Sequence, residues 1–572
     1  MNKTLHHVAT MKSLTATIVP FLLLFSACQT GPAGSELADT RDEYPSFLLT
    51  DAYIHTGNPN QPDASAMAVV EGRIEAVGTA ELLLETHADL PVLSAGGKTV
   101  IPGLIDAHAH LRNLAQMRLS ADLVGTGSIE EIIMRLKEHE KNLSPGEWLR
   151  GRGWDQNDWP TPAFPTRHDL DVAFPDRPVW LERIDGHAMW ANTVAIRAAS
   201  DDLLRSAEAP PGGQLFRLED GSASGVFIDD AEHLVGVAVP PFNGEALDRG
   251  LERALEEAAR YGLTGVHEAG VDTSDINRFI RFADQGLLTL RVNAMVEPGP
   301  AFDRYCNDHY AREDDLLSIR SVKIYLDGAL GSRGAALMQE YSDDPGNHGL
   351  MRTAPADYAD LVERALECGY QMNTHAIGDS ANRLLLDTYE AAGISPDERH
   401  RNEHAQVLAL DDIERFATLG IIASMQPTHA TSDMYWAEDR LGPHRIKGAY
   451  AWRSLLDSGA RLAFGSDFPV EQVNPMLGFH AALTRQDDQL WPEGGWYPDE
   501  RLDREEILHA FTLGAAWSGF QDNITGSLEP GKWADFVVLD QDIMTVAPPA
   551  ILDTRVEATF LAGRTVHGSL TP

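Results

Sequence analysis

A chain of 572 residues with 43% hydrophobic content can bury a large core and is long enough for roughly two to four domains; it is neither disordered nor fibrous. Its net charge of −40 and pI near 4.8 exclude a nucleic-acid partner, because phosphate binding needs a basic surface. Only eight of the 46 basic residues are lysine, and an acidic, lysine-poor surface suits a salty or ion-rich environment.

At the N-terminus, Lys12 precedes an apolar stretch from Leu14 to Phe25 that is too short for a membrane span, and Ser26 and Ala27 lead into Cys28. This pattern predicts a secretory signal over residues 1–28. It resembles bacterial lipoprotein signals, in which the cysteine is lipidated and becomes the mature N-terminus; an ordinary secreted protein is the alternative. The signal is complete whether translation starts at Met1 or Met11. Residues 29–45, rich in Gly, Ala, Ser and acidic residues, read as a flexible tether. The expected location is periplasmic, with membrane contact only through a lipid anchor at Cys28. Cys306 and Cys368 then remain, too few for a disulfide framework.

Residues 46–100 carry short strand patterns, FLLTDAYIHTG and AMAVVEGRIEAVG, with Glu71 and Gly72 at a hairpin turn. Residues 522–572 repeat that style in GSLEPGKWADFVVLD and VEATFLAGRTVHG. The two segments predict one small β-rich domain assembled from both ends of the chain. Between them, over about 101–521, brief apolar strands alternate with amphipathic helical stretches such as IEEIIMRLKEHEKNL and ALDRGLERALEEAARYG. Repeated βα units imply a parallel barrel or an open doubly wound sheet. Residues 143–245 are too long and irregular for one such unit and are expected to form an insertion over the mouth.

Several strand-like segments end in polar residues: GLIDAHAH, GVHEAG, VKIYLDGALGS, QMNTHAIGD, RNEHAQ, SMQPTH and LAFGSDFPV. Their spread along the whole segment favours a closed barrel, whose strand ends converge on one face. In TVIPGLIDAHAH the apolar run breaks at Pro102-Gly103 and finishes in His108 and His110, which share one face of a strand and can grip one metal ion. Lys323, His375, His404 and Asp467 sit in later strand-end segments. Imidazoles and a carboxylate suit Zn²⁺ and neighbouring divalent metals, and the shortage of cysteine argues against thiolate sites. Individually, His375 and His404 also read as hydrogen-bonded core or loop histidines, and Asp467 as a helix N-cap.

IDAHAH, VKIYLDGALGS, NTHAIGD, NEHAQ, AFGSDFPV and the terminal GSLEPGKWADFVVLD together resemble the amidohydrolase superfamily, in particular amidohydrolase family 3, the branch that includes N-substituted formamide deformylases. The resemblance runs from about residue 47 to 566. It implies a (β/α)₈ TIM barrel with a composite β-sandwich and metal-assisted hydrolysis of an amide-like bond in a small molecule. By motif, His108 and His110 match the metal-binding HxH, and His375 and His404 the histidines after the fifth and sixth strands. Asp467 matches the eighth-strand aspartate that contacts metal and takes a proton from water. Lys323 falls where two-metal members carry a carboxylated lysine; otherwise it is an unmodified lysine paired with Asp467 or Asp327. The site accordingly holds one or two ions.

For substrate contacts, GWDQNDW and RIDGHAMWAN offer Trp154, Asp155, Asp185, His187 and Trp190, and QPTHATSDM offers His429. His187 reads either as an oxyanion contact or as a loop histidine, and His267 and Glu268 as partners that orient ligands. Gly328 to Ser332 is too weak a pattern for a phosphate loop. Alternative functions on the same scaffold are a non-catalytic binding lipoprotein, an ester or carbamate hydrolase, or an isomerase. Homo-oligomerisation is compatible with all of these.

Overall fold

The break at Pro102-Gly103 separates two sheets. In the computed structural model, which describes residues 44–206, 208–242 and 244–570, the strand Val92–Pro102 ends in one sheet and Leu104–Ala109 begins another. Gly103 has no room for a side chain, since a Cβ there would lie 2.1 Å from Thr264 Oγ1. The signal and nearly all of the tether lie outside the described residues.

Leu104–Ala109 is the first of eight parallel strands, followed by Leu263–Val271, Arg291–Val296, Leu317–Tyr325, Gln371–Ala376, Arg401–His404, Ile422–Met425 and Arg461–Phe464, adjacent in chain order. They are largely buried on both faces under the helical layer, although Arg401–His404 is polar throughout. Helices such as Gly244–Arg260, Thr273–Asp284, Pro355–Glu367 and Asp379–Ala392 alternate with them. The chain is a TIM barrel, as expected from the spread of polar strand ends. Between the first and eighth strands, the Asp467 N–H donates to the His108 carbonyl (2.8 Å) and the His110 N–H to the Phe468 carbonyl (2.9 Å).

Strands from both chain ends join in one eight-stranded sheet. Phe47–His55 lies parallel to Val92–Pro102, which pairs antiparallel with Phe536–Leu539, followed outward by Val556–Leu561 and Arg564–Gly568. Ala66–Val70 and Arg73–Gly78 form a hairpin whose turn residues Glu71 (φ 49°) and Gly72 (φ 75°) are both left-handed, the requirement of a type I′ turn.

The insertion differs from the irregular segment expected at 143–245. A six-stranded sheet runs from Ala121–Asp122 through Leu149–Trp154, Val179–Arg183, Ala188–Ala191 and Ala223–Asp229 to Gly213–Arg217. It has its own core of Leu123, Ile132, Leu136, Trp154, Trp190 and Val226. The amphipathic helix Ile129–Glu140 therefore packs inside the insertion rather than on the barrel; its 3.6-residue periodicity shows that one face is buried but not against what. The helix beside the first barrel strand is Gly244–Arg260. On the barrel exterior, Cys306 and Cys368 are joined in a disulfide, with Cα atoms 5.2 Å apart.

One buried ion pair pins the barrel to the terminal sheet. Asp535 accepts from Arg291 Nε (2.7 Å) and Nη2 (3.0 Å), and also from Thr525 Oγ1 (2.9 Å) and the Ala562 N–H (2.8 Å). Asp535→Ala strands the Arg291 guanidinium in the interior and is expected to cost about 3–5 kcal/mol, read as a lower urea midpoint; Asp535→Asn should cost less.

Candidate active site

Small residues alternate with the histidines of the first strand, so that His108 and His110 project from the same face at its C-terminal end. His108 is fully buried, while the His110 side chain is 17% exposed. His108 Nδ1 meets Glu403 Oε2 at 2.5 Å, and Glu403 is clamped by Arg401 through Nε (2.7 Å) and Nη2 (2.9 Å). Arg401 also donates to the Ala107 carbonyl (2.6 Å) and faces His267 Nδ1 (2.7 Å). The carboxylate holds the proton on His108 Nδ1 and leaves Nε2 turned toward the site. There it lies 2.9 Å from Lys323 Nζ and 3.6 Å from Asp467 Oδ1.

Asp467 stands in the turn after the eighth strand with φ 62°. Its Oδ1 is 3.1 Å from His110 Nε2, yet makes no aligned hydrogen bond. Burial alone would raise this carboxyl, but His108 and His110 outweigh it and hold it well below the usual carboxylate range. The sixth strand ends in two further left-handed residues, His404 (φ 79°) and Ala405 (φ 43°). Such strain costs about 1–3 kcal/mol per residue and collects at functional sites. His404 Nδ1 is 2.8 Å from Gln426 Oε1, which again fixes the tautomer and frees Nε2. The His404 ring is 4.6 Å from that of His375 and 4.8 Å from that of His108.

His375 Nε2 has no hydrogen-bond partner and lies 3.6 Å from Asp327 Oδ1. Asp327 itself accepts the N–H groups of Ala336, Ile377 and Gly378 at 2.8–3.0 Å. Lys323 is wholly buried, which lowers its amine to about 8 against the opposing pull of Glu403 and Asp467. Its nearest polar neighbour is His108 Nε2, so neither expected pairing, with Asp467 or with Asp327, is its direct contact. Glu268 accepts the Leu111 and Arg112 N–H groups and caps the helix after the HxH, while His267 braces Arg401.

The structure thus brings His108, His110, Lys323, His375, His404 and Asp467 together beside a cavity of about 710 Å³, bounded on one side by the barrel and on the other by the insertion. Asp155, His187 and His429 line it. Trp154 does not: it is fully buried in the insertion core, its Nε1 donating to the Leu181 carbonyl (3.1 Å). Trp190 is buried beside it, with ring centroids 6.0 Å apart. Both tryptophans fill a core that the sequence reading did not attribute to this segment.

His187 Nδ1 is 2.7 Å from Asp229 Oδ1. Asp229 is buried, adopts φ 50° and ψ −127°, and its Oδ2 packs where a Cβ on Gly328 or Gly334 would come within 2.8 Å. The glycines of DGALGSRG therefore admit a carboxylate from the insertion. Sequence reasoning missed Glu403, Arg401 and Asp229. The spacing Arg401-Asn402-Glu403 on one strand face was the available signal for the first two; Asp229 had none.

The donor set suits a divalent cation. One ligand atom each from His108, His110 and Asp467 lie within 4.8 Å of one another, as do those from His404, His429 and Asp467. His375 Nε2, His429 Nε2 and Asp467 Oδ1 are buried without hydrogen-bond partners, an arrangement that is costly unless another group satisfies them.

Residues 92–567 match the model of the Amidohydrolase family. The Bacillus subtilis (strain 168) protein YtcJ is 32% identical over 522 residues, covering 90% of this chain and 98% of the relative. The N-substituted formamide deformylase of Arthrobacter pascens is 28% identical over 541 residues, covering 90% and 97%. Among solved structures, an uncharacterized metal-dependent hydrolase from Pyrococcus horikoshii OT3 is 27% identical with a TM-score of 0.72, covering 88% of this chain and 99% of that one.

Glu403→Gln keeps the volume of the side chain but loses one of its charged contacts to Arg401 and His108. Metal affinity is expected to fall about 10–100-fold, measured as metal per chain against a competing chelator.

Proposed function

Because the chain belongs to amidohydrolase family 3 and is a metal-dependent hydrolase, we propose that it cleaves a carbon–nitrogen bond of a small molecule, in an amide, N-formyl or N-acyl group outside a peptide. The observation that carries this reading is the convergence of Asp467 with four histidines and Lys323 at the floor of the cavity. The 28% identity to the formamide deformylase supports the choice of bond.

In this reading His108, His110, His375, His404, Lys323 and Asp467 hold one or two divalent cations, zinc being the best match to the donors. When bound, such a cation polarises a carbonyl and lowers the pKa of water. Asp467, a carboxylate at neutral pH, accepts the proton of the attacking water and returns it to the leaving nitrogen. His187, fixed by Asp229, orients the substrate carbonyl from the insertion side. The Arg401–Glu403 pair keeps His108 in the tautomer that presents Nε2.

Purified protein lacking residues 1–28 should carry metal and hydrolyse at least one member of a panel of N-formyl, N-acyl, cyclic amide and ester compounds, and a chelator should abolish that turnover. Asp467→Asn should lower kcat by about 10²–10⁴, and unchanged turnover would remove Asp467 from this role. Ester-only hydrolysis would overturn the choice of bond.

We further propose that Lys323 is carboxylated, its Nζ lone pair attacking CO₂ with release of a proton to give a carbamate. Burial supports this, since an amine lowered to about 8 is neutral in a larger fraction of molecules at physiological pH than an exposed lysine. Intact-mass measurement under native conditions should show an increment of one CO₂, labelled by ¹³C-bicarbonate, that disappears in Lys323→Ala. Metal loading without that increment would establish the unmodified lysine.

A further inference from the structure

Beyond the histidine cluster the cavity runs to a wall bearing Asp158, Asp433 and Glu471. The nearby cations are already engaged. Arg183 meets Asp155 and Asp185 at 2.5 Å each, and Arg152 meets Glu182 at 2.9 Å. Asp433 and Glu471 receive only neutral donors, namely Tyr450 Oη (2.6 Å) and Gln406 Nε2 (3.0 Å) for Asp433 and Ser432 Oγ (2.6 Å) for Glu471. Among the described residues, no lysine or arginine lies within ion-pair distance of Asp158, Asp433 or Glu471. The proposed metal ligands bring their own carboxylate in Asp467, with Glu403 behind His108, so these three acids are not needed by that site.

A second feature points into the same space. His429 is 9% exposed, and its Nε2 has no hydrogen-bond partner; it lies 3.8 Å from Asp467 Oδ2 and 4.0 Å from Glu471 Oε1. An unpartnered buried polar atom between two carboxylates marks a place that a ligand completes. Trp436 lines the same cavity, and its neighbour Tyr435 stacks on Trp491 with centroids 5.1 Å apart, both at least half exposed. Asp158 is itself exposed to the opening. Aromatic faces beside uncompensated carboxylates are the chemistry that receives ammonium groups. Burial, reinforced by neighbouring acids, pushes Asp433 and Glu471 up to about 7 and Asp158 to about 6, so each is stabilised by an arriving positive charge.

We propose that this wall is a subsite for a positively charged group of the substrate, so that the compound hydrolysed bears an ammonium at a position separate from the bond that is cleaved. The inference rests on the reading of the cavity as the substrate site of a hydrolase.

The test uses choline and its neutral isostere 3,3-dimethylbutan-1-ol, neither of which presents an amine to a metal. Binding of each to the metal-loaded protein is measured by calorimetry at low and high salt, with metal per chain determined in the same samples. Choline is expected to bind at least tenfold more tightly than the alcohol, with the preference shrinking at high salt. Asp158→Asn with Glu471→Gln should remove most of it. The single Asp158→Asn, at an exposed position, should remove part of it without affecting folding.

Equal binding of the two probes by wild-type protein overturns the subsite. So does a preference that survives in both variants, because the cation is then held elsewhere on the acidic surface. Amide hydrolysis with equal probe binding overturns the subsite and leaves the hydrolase reading standing. Choline selectivity that depends on Asp158 and Glu471, in a metal-loaded protein that cleaves no amide, supports the subsite and overturns the assigned bond.

Discussion

The N–H of Asp467 donates to the carbonyl of His108, and the N–H of His110 donates to the carbonyl of Phe468. These two backbone bonds stitch the turn after the eighth strand to the end of the first. They are reinforced by Asp106, whose carboxylate accepts the Ser466 N–H and Oγ–H (2.6–3.1 Å) and the His108 N–H (3.1 Å). Burial pushes Asp106 up to about 7 against these donors. The turn must also lack a side chain at Gly465, where a Cβ would fall 2.4 Å from Asp106 Oδ1 and 2.5 Å from the His108 nitrogen. Residues far apart in sequence are thereby fixed within bonding range by the main chain. Side-chain packing does not have to find that geometry.

Given that closure, the electrostatics of the interior follow. Lys323, Arg401 and Glu403 are all fully buried, and isolated charges of this kind are strongly unfavourable. Arg401 and Glu403 are two residues apart on one strand face and neutralise each other. Arg401 then crosses the barrel interior to the Ala107 carbonyl, tying the sixth strand to the first just where His108 begins. Lys323 has no such directly bonded carboxylate. Of the buried cations at the barrel floor, it is the one whose charge is least compensated, and its lowered amine reflects that.

What the sequence discloses depends on whether a residue's surroundings are local. His108 and His110 were legible because strand alternation alone puts them on one face, and Lys323, His375, His404 and Asp467 because each falls in a strand-end segment of the repeated βα pattern. The Pro102-Gly103 break and the Glu71-Gly72 turn were legible for the same reason: backbone chemistry at those positions needs no partner to be understood. Trp154 was not, since a tryptophan looks the same whether it faces a ligand or a core. The insertion sheet starting at Ala121 was hidden because its first strand, Ala121–Asp122, is too short to carry a pattern. Glu403 sits beside His404 in the sequence, but its role shows only in its contacts with His108 and Arg401 across the barrel interior.

The barrel and the insertion meet at a contact that constrains both. Asp229 reaches out of the insertion sheet in a strained backbone conformation and lodges against Gly328 and Gly334 in the segment after the fourth strand, while Arg352 holds the adjacent Asp230 at 3.1 Å. Because Asp229 also fixes His187, movement of the insertion relative to that segment would shift an imidazole whose ring lies 5.5 Å from that of His375. The cavity wall can vary at Asp158, which is exposed and unpaired, but not at Asp155, which holds the buried Arg183. The Asp229 anchor cannot vary either, since a side chain at either glycine would meet its carboxylate. A fold built this way can keep the floor of its site constant while changing what that floor is offered.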